Sequence, residues 1–122
     1  MKKKIIIIGG SGFIGTNILK KIDKKKNYVF STFFKSKKYK NVTGVKYYKG
    51  NLKNINFCRK VTKSIDTVIM CAAVSSGAMV MQTNPMFHVD DNIIMNTNIL
   101  KASSENKVKK FIFISSNTVY PV

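Results

Sequence analysis

Gly9-Gly10-Ser11-Gly12-Phe13-Ile14-Gly15 stands directly behind four isoleucines, Ile5 to Ile8, and opens a segment in which Ile14, Ile18 and Ile22 recur every four residues. A short, β-branched, uninterrupted apolar run is the pattern of a strand buried on both faces. A four-residue apolar spacing is the pattern of a helix with one buried side. The glycines therefore occupy a strand–turn–helix junction, and each has a physical task there. The first permits a tight turn, the middle one lets backbone come close to a pyrophosphate, and the last removes a side chain where helix and strand pack. The helix start adds unpaired N–H groups and a partial positive charge, which suit phosphate. The run reads as G-x-G-x-x-G from Gly10 or as G-x-x-G-x-x-G from Gly9.

The rest of the chain keeps the same rhythm. Lys4 to Gly9 is the first predicted strand, and Gly12 to about Lys25 the first helix. Tyr28 to Phe34 and Val45 to Tyr48 are strands, and Asn54 to Lys63 a helix. Thr67 to Ala72 is a fourth strand and Val74 to Pro85, with Gly77, a loop. Met86 to about Asn106 is a long helix, followed by a fifth strand from Lys110 to Ser115. Alternating strands and helices imply βαβ units with a parallel sheet. Right-handed crossovers then give an α/β, Rossmann-type doubly wound sheet of about five strands in the order 3-2-1-4-5. Phe111 to Ile114 is apolar at every position, the pattern of a strand covered above and below; as the last strand in that order it is expected to be an exposed edge.

Charge is unevenly spread. Residues 1–63 hold 18 Lys and Arg against the single acid Asp23, whereas residues 64–122 hold four lysines and four acids. Clustered cations suit nucleic acid, but the cations are nearly all lysine and come with 12 asparagines and 15 isoleucines. A compositional bias toward Lys, Asn and Ile is the preferred explanation, with a positive field around an anionic ligand as its by-product; no nucleic-acid partner is expected. Cys58 and Cys71 are too few for a disulfide framework, and with His88 as the one histidine no metal cluster is expected. The apolar run behind Lys2-Lys3-Lys4 is shorter than the roughly 7–15 residues of a signal peptide, and no run approaches the roughly 18 of a membrane span. A cytoplasmic protein with reduced thiols and no membrane partner is the expectation.

The seven-residue glycine spacing resembles the short-chain dehydrogenase/reductase superfamily, particularly its extended branch, the NAD-dependent epimerase/dehydratase family. Other segments carry the same resemblance. Asp66 to Ala73 is similar to that family's fourth strand with its Ala-Ala at the cofactor. Asp91 to Leu100 resembles its long Asn-rich helix, and Lys109 to Tyr120 its fifth strand ending in Ser-Ser-x-x-Val-Tyr. Ser115-Ser116 through Tyr120-Pro121, with Met95 and Asn96, is most similar to GDP-fucose synthase-like members, although Thr118 stands where that branch has a cysteine; UDP-sugar epimerase-like members are the other comparison.

The resemblance implies NADP or NAD as cofactor and a sugar nucleotide as substrate. It implies cofactor contacts at Gly9, Gly12, Phe13, Ile14, Gly15, Cys71, Ala72, Ala73, Asn92 and Ser115. Asn51 and Leu52 in Gly50-Asn51-Leu52 fall where the family has Gly-Asp-Leu with its acid at the adenine; Asn51 is either an amide substitute for that acid or a turn residue. An acid ending the second strand selects NAD through the ribose 2′-hydroxyl. Here Phe33 falls near that position, and Lys35, Lys37 and Lys38 follow, either to meet a 2′-phosphate, which favours NADP, or as solvated lysines. Ser116 matches the family's catalytic hydroxyl, suited to the role because it both donates and accepts. Asn92 matches a structural asparagine or is one more in an Asn-rich helix, and His88 is expected to be a surface residue without a role.

Tyr120 is not the catalytic tyrosine. That role belongs to a Tyr-x-x-x-Lys pair, whose cation lowers the phenol's pKa from roughly 10, and no such pair occurs in the sequence. Residues 1–122 are thus expected to form a single incomplete cofactor-binding domain. It would lack a sixth strand, the catalytic helix and a substrate domain, be inactive alone, and dimerise in a full-length form. The alternative is a non-catalytic NAD(P)-binding module that senses redox state.

Overall fold

The computed structural model describes residues 1–35, 41–75, 78–116 and 120–121. Five strands form one parallel sheet: β1 (Lys3–Ile8), β2 (Asn27–Phe33), β3 (Val45–Lys49), β4 (Thr67–Met70) and β5 (Lys110–Phe113), in the order β3-β2-β1-β4-β5. The helices are α1 (Phe13–Lys21), α2 (Ile55–Thr62), α3 (Ala78–Thr83) and α4 (Met86–Glu105). The expected topology is the one found.

β1 shows why its sequence is apolar on both sides. Ile6 and Ile8 face one core with Val68, Met70, Cys58, Val61, Ile99 and Ala102, under α2 and α4. Ile7 faces the other, with Val29 and Leu19 of α1. Burial of each such side chain contributes about 1.5–3 kcal/mol, so β1 is the strand on which both layers depend.

Two expectations are corrected. α1 buries Gly15 and Leu19, with Ile18 and Ile22 packed beside them, while Ile14 is 47% exposed; the buried stripe is one position off the Ile14–Ile18–Ile22 line. α1 also stops at Lys21, where Ile22 turns extended and Lys24 Nζ donates to the carbonyls of Leu19 and Ile22 at 2.6 and 3.2 Å. That ammonium satisfies carbonyls a helix end leaves open. Second, the segment read as a loop contains α3, for Met79, Val80, Met81 and Gln82 hold no breaker and Thr83 Oγ1 donates back to the Met79 carbonyl; Gly77 lies outside the described residues. β5 lies at the sheet edge beside β4, as its place at the end of the expected order implies, with Phe113 52% exposed.

α4 lies against α2 and fastens to it by polar contacts. Arg59 holds Glu105 through two guanidinium bonds of 2.7 and 3.1 Å. This pairing lowers the Glu105 pKa and raises that of Arg59, hydrogen bonding leading in both. Asn106 Nδ2 donates to the Arg59 carbonyl and to Thr62 Oγ1. Among the described residues no helix is long and apolar enough to cross a membrane.

Candidate functional site

The strand order reverses between β1 and β4, and open α/β sheets bind ligands in the crevice at such a point. Here the crevice is a cavity of about 310 Å³. Gly9, Ser11 and Gly12 line it at the glycine turn, and Thr32, Phe33, Phe34 and Lys35 at the end of β2. Gly50, Asn51 and Leu52 line it after β3, Cys71 to Val74 after β4, and Met95 from α4.

The turn is held by its neighbours. Gly9 has φ +82°, a left-handed conformation that favours glycine, and a Cβ there would lie 2.7 Å from Ala72 Cα. Its N–H donates to Thr32 Oγ1 and that of Gly10 to the Thr32 carbonyl, both at 3.1 Å. Thr16 Oγ1 donates to the Gly10 carbonyl at 2.9 Å, tying α1 back onto the turn. Gly15 packs so closely that a Cβ would collide with the Gly9 carbonyl oxygen.

Gly12 differs, since a Cβ there would have Gly9 O, 3.5 Å away, as its nearest neighbour. It is the N-cap of α1 and supplies no side-chain cap, and the first turn holds no acid. The opening amides of a helix lack intrahelical partners, so this end presents N–H donors beside open space. Among the described residues, Lys35 is the one charged residue lining the cavity, and no carboxylate lines it. A glycine that leaves room, uncapped amides and a positive rim together fit a diphosphate and its nucleotides.

The predicted residues divide into two groups. The cavity brings together Gly9, Gly12, Lys35, Asn51, Leu52, Cys71, Ala72 and Ala73. Lys35 Nζ rests 5.2 Å from the centre of the Phe34 ring. Burial pushes the Cys71 thiol pKa up, which keeps it protonated. Gly15 lies beneath the turn, not at the cavity wall. Phe13, 86% exposed, and Ile14 line a separate hollow on the outside of α1, so only their backbone belongs to the helix start. Ser115 and Ser116 are exposed beyond the end of β5 and do not line the cavity. Lys37, Lys38 and Thr118 lie outside the described residues.

Asn92 stands behind the wall. Its Oδ1 accepts from the Val74 N–H at 2.8 Å, and its Nδ2 donates to the carbonyls of Val74 and His88 at 2.9 and 2.6 Å. His88 is half-buried with Nδ1 3.3 Å from the same Val74 carbonyl, so it is not the roleless surface residue expected. Their four-residue spacing on one helix face was the available signal. Sequence reasoning also missed Ser11, Thr32, Phe34, Gly50, Val74 and Met95 as lining residues.

Comparison with known proteins agrees with this geometry. The sequence model of the NAD dependent epimerase/dehydratase family matches residues 5–122. The chain belongs to that family. It is 30% identical to GDP-mannose 3,5-epimerase 1 of Oryza sativa subsp. indica, over 98% of this chain and 32% of the relative. A crystal structure of a UDP-glucose 4-epimerase superposes with TM-score 0.82 at 29% identity, covering 98% of this chain and 37% of that one. The UDP-glucose 4-epimerase of Bifidobacterium longum, in complex with NAD+ and UDP, gives TM-score 0.80 at 27% identity, with coverages of 97% and 38%. The chain thus spans about a third of the length of the curated relatives it matches.

Proposed function

We propose that the chain binds a nicotinamide dinucleotide, with its diphosphate at the Gly9–Gly15 turn, as the cofactor half of a sugar-nucleotide epimerase, dehydratase or reductase. The observation that carries this reading is Gly12, open to a ligand at the uncapped start of α1 and lining the cavity. The backbone amides of the α1 start would hold the diphosphate, while Gly9 lets the turn approach Ala72. Ala72, Ala73 and Val74 would form the wall along the cofactor, with Asn92 holding that wall in place. Bound there, the nicotinamide would supply a carbon that takes a hydride from a sugar carbon and returns it.

Ser116 would hold the sugar oxygen that gains or loses a proton, its hydroxyl donating and accepting in turn. Ser115, just before it, would meet the cofactor. The sequence has no Tyr-x-x-x-Lys pair to move that proton, so residues 1–122 alone bind cofactor without turnover. Within a full-length enzyme it would act on a nucleotide sugar as a homodimer in the cytoplasm, a setting in keeping with free Cys58 and Cys71.

Lys35 favours NADP, since a 2′-phosphate at the end of β2 would meet an ammonium and no carboxylate. Titration of the purified chain with NADPH and NADH, read by cofactor fluorescence, tests both parts. Saturable binding of either supports the cofactor reading, and failure of both in a folded sample overturns it. Lys35→Ala should weaken NADPH about fivefold, roughly the 1 kcal/mol of one exposed ion pair, and leave NADH unchanged.

A further inference from the structure

Where β2 and β3 begin, away from the strand ends that line the cavity, the sheet turns an aromatic and basic face to solvent. The register sets Tyr28 beside Lys4, and Phe30 between Ile6 and Lys46. Residues paired across parallel strands point to the same side. Toward β1 that side is covered, since Ile6 and Ile8 lie under α2 and α4. Farther out the cover ends, for Tyr28 is 52% exposed and Lys46 is exposed. A hollow of about 420 Å³ opens there, with Tyr28, Phe30 and Lys46 in its wall. The rings are ordered: Phe30 and Tyr48 stack with centres 6.2 Å apart and planes 22° from parallel. Lys2 Nζ rests 5.3 Å from the centre of the Tyr28 ring, and Lys46 Nζ 5.5 Å from that of Tyr48.

Composition alone predicts no nucleic-acid partner, because a bias toward lysine scatters cations. It does not set ammonium groups against aromatic rings on one side of a sheet. The acids nearby are already engaged. Asp23, the single acid of residues 1–63, accepts from the Lys25 and Lys26 N–H groups at 2.8 and 3.3 Å. Asp66 is held by the Lys4 N–H and by Lys109. The face is thus complementary to a polyanion that also carries flat rings. A single-stranded nucleic acid has both, phosphates for the ammonium groups and unstacked bases for the rings, and single-stranded RNA is the usual target of such surfaces. A duplex keeps its bases paired and offers this face charge alone. We propose that the β2–β3 face binds single-stranded RNA, with a base laid on Tyr28 and the backbone passing Lys2, Lys4 and Lys46. The base takes the ring face that Lys2 covers and leaves that ammonium to a phosphate. Sequence is read weakly, since every base offers a π-face. The site is independent of the cofactor reading.

A fluorescein-labelled oligouridylate is titrated with the full chain and followed by anisotropy, beside an RNA duplex of equal length and vesicles of phosphatidylserine and phosphatidylcholine. The single strand should bind about tenfold or more tightly than the duplex, although the duplex has the denser charge. Equal or tighter binding of the duplex reduces the face to charge attraction and overturns the proposal, as does stronger uptake by the vesicles. Tyr28→Phe should hold the affinity within about twofold, and Tyr28→Leu, which keeps bulk without a ring, should lose about tenfold, the effect of one stacked base. Full affinity in Y28L overturns the stacking. Lys46→Glu should lose about tenfold. Lys110→Glu makes the same charge change at the opposite edge of the sheet, four strand spacings or about 19 Å away. That lies beyond the roughly 8 Å screening length, so it should stay within about twofold of the parent, and equal losses in the two overturn the location. Thermal unfolding checks that each variant is folded; if Y28L is not, the two lysine variants, both at exposed positions, decide. Saturating NADPH should leave the RNA bound, and its displacement would put the RNA in the cavity and overturn the separate face.

Discussion

Gly12 and Gly15 differ in what surrounds them, and that difference sets up a paired substitution. A Cβ on Gly15 would strike the Gly9 carbonyl oxygen and lie 2.8 Å from Gly10 Cα. Both are backbone atoms that cannot rotate away, so Gly15→Ala should cost about 1–3 kcal/mol as an overpacked site. At this chain length each kcal/mol lowers Tm by roughly 4 °C, giving a drop of about 4–12 °C. Gly12 has φ −79° and ψ 172°, which alanine adopts freely, and 3.5 Å of clearance. Replacing it restricts the unfolded chain, which stabilises, and places a poorer residue at an N-cap, which destabilises; the two effects are each about 0.5–1 kcal/mol and oppose one another. Gly12→Ala should therefore melt within about 3 °C of the parent while losing NADH affinity at least tenfold, about 1.4 kcal/mol. Circular dichroism melting and NADH fluorescence read the two quantities separately. Full NADH affinity in G12A would refute the placement of the diphosphate, and an unchanged Tm in G15A would refute the close packing beneath the turn.

Three further outcomes are expected. The backbone N–H of Lys4 and the ammonium of Lys109 hold the Asp66 carboxylate at 2.9 and 3.1 Å and lower its pKa, the first contact leading. Its stabilising effect is therefore full above the ordinary carboxylate range and is lost as pH falls through the lowered folded value. Urea midpoints between about pH 5 and 2 should fall less steeply for Asp66→Asn than for the parent, and parallel curves would contradict the pairing. Burial raises Cys58 to about 11 and its Sγ–H donates to the Leu52 carbonyl, whereas Cys71 lines the cavity. A thiol reagent at pH 8 should then label Cys71 first, with NADPH slowing it, and labelling of Cys58 first would contradict the burial. Asn92→Leu should leave the Val74 N–H without its acceptor, so amide exchange at Val74 should quicken about tenfold or more; unchanged exchange would show that the amide does not hold the wall.

Elements whose pattern came from local sequence were legible without coordinates. The Ile5–Ile8 run and the glycine spacing fixed β1, the turn and the start of α1, and the strand–helix alternation fixed the sheet order. What was not legible depended on distant partners. Lys24 reaching back to Leu19 and Ile22 shortened α1, and no periodicity encodes that contact. In the cavity, Phe33 was reached by counting from Gly9, while Asn51, Leu52, Cys71, Ala72 and Ala73 were reached through the resemblance of their segments to the family. Thr32 and Met95 were missed because their place at the wall depends on the register of β2 and the rotation of α4. The polarity of Asn51 is the clearest case, since identity gives an amide with two ends and only the Lys53 N–H fixes which end is free.

Asn92, Met95 and Asn98 recur every three residues along one side of α4. The first grips Val74, the second floors the cavity, and the third grips Leu52 and Lys53. A single helix is thus a ruler, its rise setting the two grips about 9 Å apart. One residue inserted between them would swing the second grip through about 100° and unhook that jaw, leaving the other clasped. The gap available to a ligand is a property of α4's pitch as much as of the loops that meet it.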